Sequence, residues 1–311
     1  MHPTRRRFLA GLAASGAGLA APPAARALQL EMHPFRGLYR PPGFPRLAAD
    51  PITEFLADAW HLDGSAYDPN QGAAGAPLWG FSLRGYPYRT QFAAFSPALT
   101  MAGQGCGFNG SSQYINTSVG AGRGPWSASP SQQTMLVVAQ LNAQQASAQT
   151  LMGIEGHAVL RRASMQIAAN ASNFSLDWVT TNTTTGNFSQ TVTLGQPFAA
   201  AMTLNYTTGS AALFFDEAKS TITGPAKAVN QWDEINFANS VVGGTNQNNY
   251  LKGVVLFGAA WNAILPDSVI YGLLQNPFGF LVFPDDEMMS ELVGAAAAAI
   301  PPRGGAHGFP R

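Results

Sequence analysis

Short apolar stretches separated by Gly, Asn, Ser and Thr fill the chain from about residue 55 to residue 283. In several of them apolar and polar positions alternate, and β-branched and aromatic residues are frequent, which is typical of β-strands. Turn residues recur about every ten positions, so the pattern favours an all-β sandwich over alternating strands and helices. The predicted strands are 134–141, 174–180, 188–193, 198–206, 211–215 and 251–261.

Two of these stretches are apolar almost throughout: TMLVVAQL at 134–141 and GVVLFGAAW at 253–261. A strand whose side chains are apolar on both faces needs cover on both faces. We therefore predict that these two are central strands of a sheet.

One helix is predicted after the last strand, over 266–275. Pro266 suits its first turn and Pro277 ends it. We expect the apolar face of this helix to pack on the edge of the sandwich and Trp261 to be buried, because an uncovered apolar edge strand invites aggregation. The residues that share this face at helical spacing are Val269, Ile270, Leu273 and Leu274.

The regions on either side of the strand-rich part have a different composition. Prolines punctuate 28–54 too densely for helix or ladder pairing, which predicts a linker or a strap across the surface. After an acidic patch and five alanines the chain ends in PPRGGAHGFPR, so we predict a flexible tail over 284–311. The predicted domain occupies 55–283.

The first 27 residues have the three parts of a secretory signal: a basic start, a small apolar middle and an Ala-x-Ala exit at 25–27. The stretch TRRRFL at 4–9 resembles the bacterial twin-arginine signal, in which a Ser or Thr precedes two arginines, any residue and Phe-Leu. The matching residues are Arg5, Arg6, Phe8 and Leu9, after Thr4.

The twin-arginine resemblance implies export of a folded protein, with cleavage after Ala27. We therefore expect a periplasmic or secreted protein that meets the membrane only transiently, through its signal peptide. A general secretory signal and an uncleaved anchor are the alternatives.

Composition narrows the function classes. With 46% hydrophobic and only 11% charged residues, the chain is not a disordered one. Seventeen basic residues balance seventeen acidic ones. Without the four arginines of the leader, 13 basic residues remain against 17 acidic ones, which excludes an ordinary nucleic-acid surface.

The chain has a single cysteine, Cys106, which excludes an internal disulfide framework. This cysteine lies in the glycine-rich stretch 103–110, which we expect to form a loop.

Four segments carry a family resemblance: ADAWHLDGSAYDPNQG at 57–72, GFNGSSQYINT at 107–117, the hairpin at 194–217, and the closing strand, helix and Asn-Pro-aromatic at 246–280. Together they resemble the laminin-G-like, concanavalin-A-like jelly roll of bacterial secreted and phage-associated proteins. The resemblance implies an all-β fold: a jelly-roll sandwich of two antiparallel sheets with one short helix after the last strand.

The chain departs from that family at three places. The central strand begins with Pro197-Phe198-Ala199 where the family has Trp-His, the hairpin turn is Asp216-Glu217 in place of Asn-Gly, and Pro266 replaces the usual Ser at the helix cap. None of these changes removes an element of the fold.

No arrangement of residues for catalysis is found in the sequence. Retaining glucanases of the same jelly roll carry Glu-x-Asp-x-(x)-Glu on one strand, so that alternation brings the carboxylates into one cleft. The nearest match, 234–239, reads Glu-Ile-Asn-Phe-Ala-Asn and lacks the second and third carboxylates. The histidines show no metal-ligand spacing. We therefore predict that the protein is not an enzyme.

Two binding sites are predicted. Laminin-G-like modules often hold one Ca²⁺ through Asp, Asn and carbonyl oxygens, and the densest oxygen cluster in this chain is Asp63, Asp68 and Asn70. The same residues also serve as turn formers, so the cofactor is either Ca²⁺ or none.

The second site is a glycan site, because amides hydrogen-bond sugar hydroxyls and aromatic rings stack on the apolar face of a pyranose. The alternative is that its two tryptophans are half-buried at strand ends. The candidate residues are Trp126, Trp232, Asn246, Asn248, Asn249 and Tyr250.

The sequence thus predicts an exported, non-catalytic binding module for a glycan or a cell-envelope surface. The alternative is a structural or adhesive protein, of phage or host origin, that contacts other proteins. A glycoside hydrolase is the third hypothesis. The expected partners are a glycan, a cell surface or a protein, and not a nucleic acid.

Overall fold

A computed structural model shows the architecture of the protein. It describes residues 46–47, 51–54, 56–62, 83–84, 89–94, 96–118, 130–156, 161–180, 183–227, 234–242, 245–246 and 248–282. Within these residues the chain is mostly β-strand, with one α-helix and one turn of 3₁₀ helix at Pro51–Thr53.

The strands, in chain order, are β1 Arg46–Leu47, β2 Leu56–His61, β3 Arg89–Ala94, β4 Ser96–Thr100, β5 Gly103–Asn109, β6 Tyr114–Ser118, β7 Gln132–Leu141, β8 Gln149–Gly156, β9 Arg161–Ile167, β10 Asn173–Val179, β11 Thr183–Thr191, β12 Pro197–Asn205, β13 Ser210–Phe215, β14 Ala218–Thr223, β15 Glu234–Phe237, β16 Val241–Val242, β17 Thr245–Asn246, β18 Lys252–Trp261 and β19 Leu281–Val282. The helix is α1, Asp267–Gln275.

Two antiparallel sheets form the body of the described chain. The seven-stranded sheet has the order β11-β10-β9-β8-β15-β6-β3, and the eight-stranded sheet has the order β14-β13-β12-β7-β18-β5-β4, with β2 paired to β18. β15 lies between β6 and β8, and β18 lies between β5 and β7, so strands distant in sequence are neighbours. Such crossovers are those of a jelly roll. The predicted fold class, a concanavalin-A-like jelly-roll sandwich of two antiparallel sheets with a short helix after the last strand, is confirmed.

The main core lies between the two sheets. Because side chains alternate across a strand, Ile154, Met165 and Leu176 of neighbouring strands all point inward from the seven-stranded sheet. Trp178 meets Tyr206 of the opposite sheet edge to face, with ring centroids 5.0 Å apart. Burying a large apolar side chain contributes roughly 1.5 to 3 kcal/mol, so this core is the main stabilising element of the fold.

A second core covers the outer face of the eight-stranded sheet. The central strands β7 and β18 contribute to both cores, Val137 to the first and Leu136 to the second, as predicted for strands covered on both sides. Trp261 is fully buried, as predicted, and its indole Nε1 donates a hydrogen bond to the carbonyl oxygen of Ile52 at 2.8 Å.

The helix α1 begins at Asp267, one residue later than predicted, and ends at Gln275 as predicted. Its buried residues Ile270 and Leu273 lie against β12 and β13, and Tyr271 packs on Phe214 with ring centroids 5.6 Å apart. The helix therefore covers a face of the eight-stranded sheet, and the prediction that it packs on the sandwich edge is wrong. The outer face of β12 and β13 is apolar across both strands, so the helix lies over this face and buries it.

The predicted strands are all present as β7, β10, β11, β12, β13 and β18. The largest shift is at β11, which begins at Thr183 and not at residue 188 and pairs with β10 along most of its length. The stretch around Cys106, predicted as a loop, is strand β5. Its glycines are needed because a Cβ at Gly105 would lie 2.7 Å from Val254 Cγ1.

Two short pieces near the ends of the described chain pair with each other. β1 runs antiparallel to β19, with Arg46 opposite Val282 and Leu47 opposite Leu281. In the part of the chain that the structure describes, no helix has the length and apolar character needed to cross a bilayer.

Candidate functional site

The outer face of the seven-stranded sheet is polar. On β8, β9, β10 and β15 every second side chain points into the inter-sheet core, and the positions between them carry carboxylates, amides, hydroxyls and a guanidinium. We call this surface the polar face. It is formed by Asn116, Glu155, Arg162, Ser164, Gln166, Ser175, Asp177, Glu234 and Asn236.

The strand register arranges these residues in rows. Since neighbouring strands lie about 4.8 Å apart, a row across five strands is about 19 Å long, the scale of an oligosaccharide. In the second row, Glu234 lies directly opposite Glu155, and Glu155 lies opposite Arg162. The first row, which crosses five strands, consists of Asn116, Asn236, Gly153, Ser164 and Asp177.

Most of the polar face is buried, which is unusual for such residues. Glu155, Glu234 and Asn236 are each 0% exposed. The ion pair of Arg162 Nε with Asp177 Oδ2, at 2.5 Å, is more open, with 20% and 14% of the two side chains exposed. The ion pair therefore marks the more solvent-accessible side of the face.

Several polar atoms of this face lack a hydrogen-bond partner among the described residues. They are Ser164 Oγ, Ser175 Oγ and Asp177 Oδ1, whereas Asn236 Nδ2 faces the carboxyl group of Glu155. Buried polar groups in folded proteins are nearly always hydrogen-bonded, and each exception costs about 1 to 3 kcal/mol. Other such atoms lie elsewhere in the described chain, on Gln133 and Gln190 for example, and those of the polar face lie on the neighbouring strands β9 and β10.

Gly153 lies in the middle of the first row, between Asn236 and Ser164. A Cβ added to this glycine would lie 3.0 Å from Ser164 Oγ and 3.2 Å from Glu155 Oε1. Both oxygens thus lean over the position where another residue would carry its side chain. The side chains of Ser164 and Glu155 therefore fill the space above Gly153, and a larger residue at this position would displace them.

Glu155 is a fully buried carboxyl group whose pKa is strongly raised. Its Oε1 accepts a hydrogen bond from Ser240 Oγ at 2.6 Å. Burial raises its pKa to about 8, and the neighbouring charge of Glu234 adds to the rise, while hydrogen bonds from Ser240 and Asn236 and the charge of Arg162 oppose it. Glu155 therefore holds its proton at neutral pH.

The segment after β15 folds back beside the polar face. Ala238 has φ 66°, a conformation that non-glycine residues seldom adopt, and it redirects the chain. Ser240 then reaches Glu155, and the two-stranded ribbon of β16 and β17 lies against β8. This ribbon forms one border of the site.

The predicted glycan residues that the structure describes lie in and after this ribbon. The backbone of Asn246 is in β17; its side chain is outside the described part. Exposed Asn248 has φ 59°, and its carbonyl accepts a hydrogen bond from Ser147 Oγ at 3.1 Å. The backbone N–H of Asn249 donates to Asn239 Oδ1 at 2.9 Å.

Tyr250, the last of the predicted glycan residues, packs on Tyr114 with ring centroids 5.8 Å apart. Burial, and then the neighbouring phenol of Tyr250, raise the pKa of Tyr114. The two partly exposed rings form an aromatic pair at the start of β6, two residues before Asn116 of the polar face.

The remaining predicted residues lie outside the described part of the chain. These are Trp126 and Trp232 of the glycan site, Asp63, Asp68 and Asn70 of the calcium site, and Arg5, Arg6, Phe8 and Leu9 of the signal. Among the described residues, no three of His, Cys, Asp and Glu converge in a way that holds a metal ion.

Sequence reasoning missed the pairing of Glu155 with Glu234. Glu234 lies in the stretch 234–239, which was compared with a carboxylate pattern on a single strand, and Glu155 lies outside the predicted strands. Strand β8 runs through Gly153 and Gly156 and sets the two glutamates side by side. The available signal was the alternation of polar and apolar residues in 161–167 and 173–179, which predicts a polar outer face next to them.

Comparison with known proteins supports the fold. No protein-family model matches the chain, and no curated protein matches it. Among solved structures, domain 4 of AbnA, a GH43 extracellular arabinanase from Geobacillus stearothermophilus, in complex with arabinotriose, is similar at a TM-score of 0.50 and 13% identity, over 70% of this chain and 98% of that one.

Two further structures show weaker likeness. The CBM40 of the Ruminococcus gnavus IT-sialidase bound to α2,3-sialyllactose has a TM-score of 0.42 and 14% identity, over 49% of this chain and 89% of that one. The native heptameric SAP-like pentraxin of Limulus polyphemus has a TM-score of 0.37 and 10% identity, over 47% and 70% of the two chains. At these identities the likeness concerns the fold.

Proposed function

We propose that this chain is an exported glycan-binding module of the laminin-G-like type, with its ligand on the polar face. The observation that carries the proposal is the set of buried polar atoms without partners on one face of the seven-stranded sheet. A sugar offers hydroxyls that donate and accept at short intervals, so it matches a row of amides, hydroxyls and a carboxylate.

A cation fits this face less well than a sugar does. Asn236 Nδ2 is a donor, and a donor needs an acceptor oxygen, which a metal ion does not provide. Arg162 next to Glu155 also opposes the approach of a second positive charge. A neutral polyhydroxylated ligand meets both conditions. The AbnA domain, similar in fold, was solved with arabinotriose, so in that protein the fold accommodates an oligosaccharide.

Export and domain boundaries are part of the proposal. The twin-arginine-like leader of residues 1–27 directs the protein to the periplasm or the medium, with cleavage near Ala27, and the laminin-G-like domain occupies 55–283 between the strap of 28–54 and the tail of 284–311. A calcium ion on Asp63, Asp68 and Asn70 is proposed on the same family resemblance. The sites predicted in the 245–250 loop lie at the border of the polar face, where they extend the same site.

A glycan array with the purified protein tests the proposal, followed by calorimetric titration of the glycan found. Ser164→Ala and Asn236→Ala each remove a polar group aimed at the ligand, and we expect each to weaken binding about tenfold or more. Thr203→Ala is the matched control, because Thr203 is a buried polar residue of the eight-stranded sheet. An array without binding, or binding that is unchanged in both variants, contradicts the proposal.

One observation favours a second candidate, an adhesive role toward proteins. Leu99 is 82% exposed and Met101 is 59% exposed, both at the turn from β4 into β5 on an edge of the eight-stranded sheet. Exposed apolar side chains at a sheet edge are typical of protein contacts. Replacing both with Ser should abolish co-purification of a protein partner and leave glycan binding unchanged; co-purification that persists refutes this role.

A further inference from the structure

We propose that the β9–β11 end of the polar face binds a neutral sugar unit through two of its adjacent hydroxyls, with the guanidinium of Arg162 as the anchor. The inference rests on the proposed function and deepens it, because it names the part of the face that the glycan contacts and the class of sugar that fits there. We call this part the outer subsite. It consists of Arg162, Asp177, Thr185 and Asn187.

The outer subsite is the part of the polar face that solvent reaches. Thr185 and Asn187 are exposed residues of β11, the edge strand of the seven-stranded sheet. Thr185 lies directly opposite Asp177 on β10. The side chains of Arg162 and Asp177 are 20% and 14% exposed, whereas the glutamates of β8 and β15 are fully buried. A glycan can therefore contact the outer subsite without uncovering the buried carboxyl groups.

The ion pair of the outer subsite leaves most hydrogen bonds of Arg162 unused. Nε donates to Asp177 Oδ2 at 2.5 Å, and among the described residues this is the one hydrogen bond of the Arg162 side chain. A guanidinium carries five N–H donors, so the two Nη groups keep four of them. Neither Nη atom is among the buried polar atoms that lack a partner. The exposed fifth of the side chain therefore includes its donor end, which faces a ligand as a fork of N–H groups.

The charges around Arg162 favour a neutral sugar over an acidic one. Asp177 neutralises Arg162, so the pair presents no net positive charge to an anionic ligand. In the second row of the polar face, Glu155 and then Glu234 follow Arg162, and the charge of Glu234 makes this row negative. A carboxylate is repelled here. Two adjacent hydroxyls, by contrast, present a pair of oxygens that accept from the fork of a guanidinium.

Two buried hydroxyls next to the ion pair support this location. Ser164 lies directly opposite Asp177 and is 0% exposed, and Ser175 lies two residues before Asp177 on the same face and is 7% exposed. Their Oγ atoms and Asp177 Oδ1 have no hydrogen-bond partner among the described residues. Such atoms are rare in folded proteins. A hydroxyl bound at the ion pair, or a water that it carries, supplies a partner to this group.

The exposed residues of β11 suit a second sugar unit. Strands β9 and β11 are two strand spacings apart, about 10 Å, so Arg162 and Asn187 can contact neighbouring units of one oligosaccharide. The hydroxyl of Thr185 and the amide of Asn187 can each donate and accept a hydrogen bond. Among the described residues neither side chain has a hydrogen-bond partner, so both are available to the ligand.

The test places neutral and acidic oligosaccharides on one array and titrates the purified protein with the neutral glycan of highest signal. Arg162→Lys keeps the charge but loses the fork, and we expect it to raise the dissociation constant about tenfold. Thr185→Val combined with Asn187→Ala should raise it about fivefold or more. Thr221→Val, at an exposed position of β14 in the other sheet, is the matched control and should bind as the wild type does.

The salt dependence of binding is a second readout. A neutral sugar should bind with nearly the same dissociation constant at low salt and at about 0.5 M salt, because no charge on the ligand is screened. An acidic sugar held by Arg162 would instead lose affinity as the salt concentration rises. Binding restricted to acidic glycans, or a dissociation constant that rises several-fold with salt, overturns the inference.

The remaining outcomes separate this inference from the proposed function. A neutral glycan that binds equally well to Arg162→Lys and to the double variant overturns the outer subsite and leaves the binding module intact. An array without any bound glycan contradicts the proposed function itself. The melting temperature of each variant shows whether lost binding reflects a lost fold. If Arg162→Lys does not fold, the double variant decides, since both of its substitutions lie at exposed positions.

Discussion

The protonation of Glu155 has a direct consequence for stability. The pKa of its carboxyl is raised from 4.5 to about 8 in the folded chain, where it is fully buried. The unfolded chain releases this proton near pH 4.5, and the folded chain keeps it to about pH 8. The stability that this group contributes is therefore fully present below pH 4.5 and is lost as pH rises to about 8.

The magnitude follows from the size of the rise. At about 1.4 kcal/mol per tenfold change, the rise corresponds to an upper limit on the order of 5 kcal/mol. Water that enters beside the ionised carboxylate reduces this cost, so we expect a loss of about 2 to 5 kcal/mol between pH 5 and pH 9. For a domain of this size, that is on the order of 10 °C in melting temperature.

The perturbation that isolates this effect is Glu155→Gln. Glutamine has the shape of the protonated acid and keeps an oxygen that accepts the hydrogen bond from Ser240, but it never ionises. The variant should match the wild type at pH 5 and exceed it by about 2 to 5 kcal/mol at pH 9.

The assay is urea unfolding followed by tryptophan fluorescence at pH 5, 7 and 9. Glu54→Gln, at an exposed position, should follow the wild-type curve at all three pH values. This control shows that the loss of an exposed carboxylate does not by itself change the pH dependence of stability. If wild type and Glu155→Gln stay parallel from pH 5 to pH 9, Glu155 ionises as an exposed glutamate does, and the claim that burial raises its pKa is refuted.

Four other predictions address separate parts of the structure. Ser164→Ala should leave the free energy of unfolding within about 1 kcal/mol of wild type, since a buried hydroxyl without a described partner contributes little, yet weaken glycan binding; a large loss of stability in urea unfolding would show that the hydroxyl is structural. Leu273→Ala should cost about 2 to 5 kcal/mol, because this side chain fills the core under α1; a cost below 1 kcal/mol means that the helix is not needed as cover. Arg5→Lys with Arg6→Lys should trap the protein in the cytoplasm, as followed by fractionation and immunoblotting; unchanged export rules out the twin-arginine leader. Millimolar calcium should raise the melting temperature relative to chelator if the 63–70 loop holds the ion, and an equal melting temperature removes that site.

Local patterns predicted most of the fold. Strands such as β7 and β18 are recognisable because apolar runs of that length need cover on both faces, and α1 because its apolar residues recur at helical spacing between two prolines. The position of α1 on the sheet face was not predictable in the same way. It depends on which part of the outer surface of β12 and β13 is left uncovered. That is determined by the pairing of all the strands in the eight-stranded sheet.

The pairing of Glu155 with Glu234 on the polar face could not be predicted from the sequence for a related reason. Each of its strands shows polar alternation, but the partners are distant in the chain: Glu155 and Glu234 are joined by β15 lying beside β8. A search for carboxylates at fixed spacing on one strand finds only one member of such a pair. The loop at 245–250, by contrast, is recognisable from its amides and tyrosine, and its role in glycan binding stays a prediction.

A crystal structure of the protein with the glycan found on the array tests the central claim most directly. We expect the glycan along the polar face, with a sugar oxygen within hydrogen-bond distance of Asn236 Nδ2 and another within reach of Ser164 Oγ. A glycan bound only at Asn248, Asn249 and Tyr250, with the polar face still covered, would contradict the account.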